Sequence, residues 1–87
     1  MSRGPIPDFP RDRPTVDQVI PLVREYYKEH CAGGSMHIVL DDGNLESDHI
    51  AYCLGVAKER GDSAGVRIAE LMLQMTGTQR RRVYRNR

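Results

Sequence analysis

Apolar residues recur along this chain at helical spacing in three places, separated by turn signals. Val16, Val19, Ile20, Val23, Tyr26 and Tyr27 define the first stripe. The preceding Thr15 begins a Thr-x-x-Gln capping box with Gln18, in which each side chain satisfies a backbone N–H of the other residue. Pro21 interrupts this stripe. A proline two turns into a helix removes one hydrogen bond and crowds the preceding turn, so a kink or a later start is expected there. Gly33-Gly34 ends the segment. Ile50, Cys53, Leu54 and Ala57 form the second stripe, with Asn44 or Ser47 as its cap and Gly61 as its stop. Ile68, Leu71, Met72 and Met75 form the third, opened by Asp62 or Ser63 and closed by Thr76-Gly77.

Between the first two stripes lies Ser35–Asn44, in which Met36 to Leu40 is short, apolar and partly β-branched and Asp42-Gly43-Asn44 signals a turn. The pattern therefore predicts a mainly α fold: a small three-helix domain with an irregular or short-strand insert between helices 1 and 2. Four prolines in residues 1–14 predict an extended arm, to which Ile6 and Phe9 offer apolar anchors. Residues 15–78 make the helical domain. Residues 79–87 are an arginine-rich tail, either frayed or a short basic turn capped by Thr78.

With 87 residues, one domain is expected. A core of this size supplies only about 3–5 kcal/mol, which directs attention to metals, disulfides and partner subunits as further supports. Met1–Pro7 is polar and proline-rich, and no apolar run reaches membrane length, so a cytoplasmic protein without membrane contact is expected, with Cys31 and Cys53 reduced.

Charge changes the picture more than composition does. The net charge of +1 is the sum of a tail at +5, an arm at +1 and a body, residues 15–78, at −5. In the tail, Arg80, Arg81, Arg82, Arg85 and Arg87 offer phosphate donors, and Tyr84 offers a ring for stacking on a base. Nucleic-acid binding, docking on the acidic body and a merely solubilising end are all compatible with such a run.

Candidate chemistry is otherwise sparse. Asp41, Asp42, Asn44, Glu46 and Asp48 crowd oxygens into eight residues, but Gly43 stands in the wrong place for a calcium loop. Helix N-termini also favour acids for electrostatic reasons alone. Cys31, His37, His49 and Cys53 are ligand types, and His49 and Cys53, four apart, share a helix face. Zinc is thus permitted, although no Cys-x-x-Cys pair supports it. Tyr26 and Tyr27 cannot both face the core, so one is expected at a boundary or pocket. No nucleophile–base set, phosphate loop or cofactor fingerprint can be assembled, so no enzyme is expected.

The segments Ser35–Asn44 (SMHIVLDDGN) and Met75–Arg81 (MTGTQRR) resemble those of small uncharacterised proteins of tailed bacteriophages and prophages, over about Arg13 to Arg82. The resemblance implies a setting in the bacterial host cytoplasm and brings no catalytic residues. It suggests a binding module that acts stoichiometrically, as a homo-oligomer, on a host protein or an anionic small molecule such as a signalling nucleotide. Its candidate contacts are His37, Asp41, Asp42, Asn44 and Asp48 with Tyr26 and Tyr27, and the tail arginines.

Overall fold

The computed structural model describes residues 14–31 and 33–87. Apart from the buried Pro14, the expected arm lies outside the described residues. The described chain is mainly helical. Helix α1 spans Val16–His30, a single 3-10 turn spans Gly34–Met36, and a one-turn α2 spans His37–Leu40. Helices α3, α4 and α5 then span Ser47–Arg60, Ser63–Leu73 and Gly77–Asn86.

The expected capping box starts α1: the Gln18 N–H donates to Thr15 Oγ1 at 3.2 Å and the Thr15 N–H to Gln18 Oε1 at 3.0 Å. The helix begins at Val16 and runs on through Pro21, so the later start does not occur. Asp17, whose carbonyl would lose its helical partner at a proline four residues on, is exposed, as is Pro21 itself. Water can satisfy the oxygen that the proline leaves free, which keeps the interruption cheap.

The first half of the insert, residues 34–40, is helical and not a short strand, whereas residues 41–46 are irregular; there is no strand among the described residues. Gly33 and Gly34, with φ of 82° and 53°, turn the chain out of α1. Met36, Val39 and Leu40 then bury together at intervals of three and four, which is helical geometry. The Asp41 and Asp42 N–H groups close back on the His37 carbonyl at 2.8 and 3.1 Å, and the Asn44 N–H reaches the Ile38 carbonyl at 3.0 Å. The buried Cys53 thiol of α3 packs on the backbone of Ile38 and Val39.

Neither expected cap serves α3. Its N-cap is Glu46, without a side-chain capping bond, and the Ser47 hydroxyl instead accepts a hydrogen bond from Arg80 at 3.1 Å. Gly61, at φ 69°, ends α3 as expected. Its N–H donates to the Lys58 carbonyl and that of Asp62 to the Ala57 carbonyl, the paired closure that a left-handed residue permits. Asp62 caps α4 through Gly65 N–H at 3.1 Å.

The fold has a helix that the three-stripe pattern did not contain. The tail is α5, opened by a second capping box: the Gln79 N–H donates to Thr76 Oγ1 at 3.2 Å and the Thr76 N–H to Gln79 Oε1 at 3.0 Å. Thr76, not Thr78, is the cap. Helices α3 and α4 pack closely as a pair; α1 packs on both α4 and α5, and α2 lies against α3. Val19, Val23, Tyr26, Leu40, Ile50, Ile68, Met72 and Val83 meet in one continuous core. No helix of the described residues is long and apolar enough to cross a membrane.

Candidate functional site

Helix α5 has two faces of different chemistry. Arg80 and Val83 are buried, and Gln79 and Tyr84 are half-buried. Thr78, Arg81, Arg82 and Arg85 are exposed. Those four positions follow the i, i+3, i+4, i+7 rule and so form one outward stripe. The tail therefore presents three of its arginines side by side on a fixed scaffold.

The inward face explains how a helix with so few apolar residues stays docked. Arg80 is 7% exposed and acts as a clasp. Its Nε donates to the Met72 carbonyl at 2.8 Å, and its Nη1 donates to the Leu45 carbonyl and to Ser47 Oγ, both at 3.1 Å. Met72 lies in the last turn of α4, where helix carbonyls lack their usual i+4 partner, and Leu45 and Ser47 flank the start of α3, so one guanidinium joins the two helices. Arg80 is thereby withdrawn from the array of free tail arginines. At the other end of α5, Arg24 of α1 donates through Nε to the Asn86 carbonyl at 2.8 Å. Arg87 donates to the Tyr84 carbonyl at 2.7 Å and lies over the Tyr84 ring, 4.0 Å from its centre, with Tyr27 at 5.7 Å. Tyr84 also packs on Gly43, where an added Cβ would lie 2.8 Å from the ring; Gly43 has φ 73°, a second reason for glycine there. The tail thus docks on its own body through carbonyls, a hydroxyl and ring faces.

The acidic turn lies beside α5. A cleft of about 440 Å³ is lined by Gly43, Asn44, Leu45, Glu46, Gly77, Arg80 and Arg81, so Asn44 of the turn and two tail arginines meet there. Asp42 and Asp48 are exposed, Asp41 is half-buried and His37 is exposed. One oxygen of Asp41 and Nδ1 of His49 are buried without a hydrogen-bond partner among the described residues. The four candidate zinc ligands do not assemble. Cys31 is exposed just past α1 and Cys53 is buried, and no group of three or more His, Cys, Asp or Glu side chains among the described residues is placed to hold a metal. Spacing put His49 and Cys53 on adjoining positions of one helix, but packing directs Cys53 into the core against α2.

The two tyrosines divide as expected. Tyr27 is half-buried and Tyr26 buried. Tyr26 is the centre of a polar cluster that sequence reasoning missed. Its hydroxyl donates to Asp62 Oδ2 and accepts the Ser35 N–H at 3.0 Å, and its ring stacks obliquely on His30 with centres 4.3 Å apart. Burial, reinforced by the Asp62 carboxylate, pushes the phenol up to about 12. Burial opposes ionisation of Asp62 too, but bonds from Tyr26, Gly65 and Ser35, with the charge of His30, outweigh it and hold the carboxyl below its ordinary range. The cluster borders a second cleft, of about 480 Å³, lined by residues including Glu29, His30, Gly34, Arg60 and Asp62. Its polar groups bond one another and tie α1, the 3-10 turn and α4 together, so their chemistry is structural.

Comparison with protein families, with curated proteins and with solved structures finds no match to this chain.

Proposed function

We propose that this protein is a non-enzymatic binding module whose partner is nucleic acid, held through its phosphates by the outward face of α5. The observation that carries the reading is the stripe Thr78, Arg81, Arg82 and Arg85, exposed on one side of a helix whose other side is fixed to the body. Guanidinium groups suit phosphate oxygens in geometry as well as charge. Arginines on an anchored helix also lose less freedom on binding than those on a frayed tail. The stripe contains no apolar residue to insert into a lipid surface, which favours a soluble polyanion.

The test is an anisotropy titration of a labelled duplex of about 20 base pairs at ~50 mM salt, where a few phosphate contacts give micromolar-range binding. The variant R81A/R82A/R85A, with unchanged helical circular dichroism, is expected to bind at least about tenfold more weakly. Equal binding by this variant refutes the proposal.

A second reading draws on the cleft of about 440 Å³ that joins Asn44 to Arg80 and Arg81. It has room for a small anionic ligand, and a signalling nucleotide there fits the phage-type role that the sequence resemblance implies, with a host protein as the alternative partner. Native mass spectrometry of protein purified from bacteria tests this reading and reports the proposed homo-oligomer in the same spectrum: a co-purified nucleotide supports it, and ligand-free protein that ignores added nucleotides refutes it.

A further inference from the structure

We infer that the nucleic acid engaged by α5 is double-stranded, an inference that rests on the phosphate-binding reading of the outward stripe. Proteins that hold single strands combine a basic groove with aromatic rings on which successive bases stack. The stripe here is the convex side of a helix, and the two rings that pack around the end of that helix, Tyr84 and Tyr27, are engaged by Arg87. One face of Tyr84 is covered by Arg87 at 4.0 Å, and its edge packs on Gly43. Tyr27 faces the same Arg87 guanidinium at 5.7 Å. One face of the ring that the tail sequence offered for base stacking is therefore already occupied.

What remains exposed suits a duplex. From Thr78 to Arg85 the helix rises about 10 Å, and neighbouring side chains in the stripe stand about 5–6 Å apart. A duplex presents one phosphate per ~3.4 Å along each strand, at fixed positions, whereas a single strand must be ordered at its own entropic cost. The major groove, about 12 Å wide, also admits the width of an α-helix. A rigid row of guanidinium groups beside a ring already capped by Arg87 matches the rigid phosphate row.

The experiment compares the duplex with an oligothymidine of equal length, both as labelled probes at the same salt. The duplex is expected to bind at least about fivefold more tightly, since the strand lacks the stacking that gives such proteins their affinity. Arg87→Ala uncovers the Tyr84 ring and is expected to narrow that ratio at least about twofold. Equal or tighter binding of oligothymidine by the unaltered protein overturns this inference while leaving the phosphate-binding reading intact. So does a ratio that Arg87→Ala leaves unchanged. Failure of both probes to bind removes the reading and the inference together.

Discussion

Replacing Arg80 by alanine removes the Nε bond to Met72 at 2.8 Å and the two Nη1 bonds to Leu45 and Ser47 at 3.1 Å. The bonds are charge-assisted, and the substitution strips the Leu45 carbonyl of its donor, whereas the Met72 carbonyl keeps the Met75 N–H at 3.1 Å. At about 1 kcal/mol or more for each lost bond, with the cost of the stranded Leu45 carbonyl added, the loss is about 3–5 kcal/mol. A domain of this size has about that much stability to lose. With a urea dependence of about 1 kcal/mol per molar, the unfolding midpoint should fall by about 3 M or the variant should be unfolded at the outset. Arg80→Lys should recover part of the loss, because a single ammonium cannot reach α4 and the start of α3 as the forked guanidinium does. Arg82→Ala, on the exposed face of the same helix, should change stability by less than about 0.5 kcal/mol. Urea titrations followed by circular dichroism check the set. A midpoint for Arg80→Ala within about 1 M of the parent would refute the view that this arginine is a structural clasp.

Tyr26→Phe removes the donor to Asp62 and leaves the Ser35 N–H buried without its acceptor, so it should cost about 2–3 kcal/mol in the same titration. Stability should also depend on pH from both ends. Asp62 has its carboxyl lowered from 3.8, so its contribution is present above the unfolded value and is lost as pH falls through the folded one. Tyr26 is raised from 10.0 to about 12, so its contribution is complete below 10.0 and is lost as pH rises through about 12. Thermal melts across that range should show both arms, and Tyr26→Phe should flatten the alkaline one. Thr76→Ala breaks the capping box of α5 and should cost about 1 kcal/mol, read as lowered helicity and lower melting temperature.

Three helices were legible because each carries several apolar residues in register with recognisable ends: Thr15 with Gln18, Gly61, Asp62. The insert was not, because four apolar residues are too few for periodicity to separate a helical turn from a strand, and Met36 with Val39 and Leu40 fits either until packing is known. The tail was misread for a different reason. A helix normally announces itself by apolar residues on its inner face, but the inner face of α5 contains Val83, Tyr84 and a buried arginine. Arg80 looks like its neighbours in sequence, and only the backbone acceptors at the end of α4 and before α3, brought together by the fold, distinguish it. The second capping box was present in Thr76 and Gln79, where it passed for the end of the preceding helix. The Tyr26–Asp62 bond joins residues 36 apart, beyond any local signal. Of the candidate sites, charge patterning located the arginine stripe and the neighbouring acidic turn. It could not show which arginines are free, nor that Tyr84 is covered.

The salt dependence of duplex binding tests the central claim most directly. If Arg81, Arg82 and Arg85 each neutralise one phosphate, the logarithm of the affinity should fall with the logarithm of salt at a slope of about −2.7, and each arginine replaced by alanine should reduce the slope by about 0.9. A slope unchanged by removal of all three arginines, or no binding at ~50 mM salt, would contradict the account.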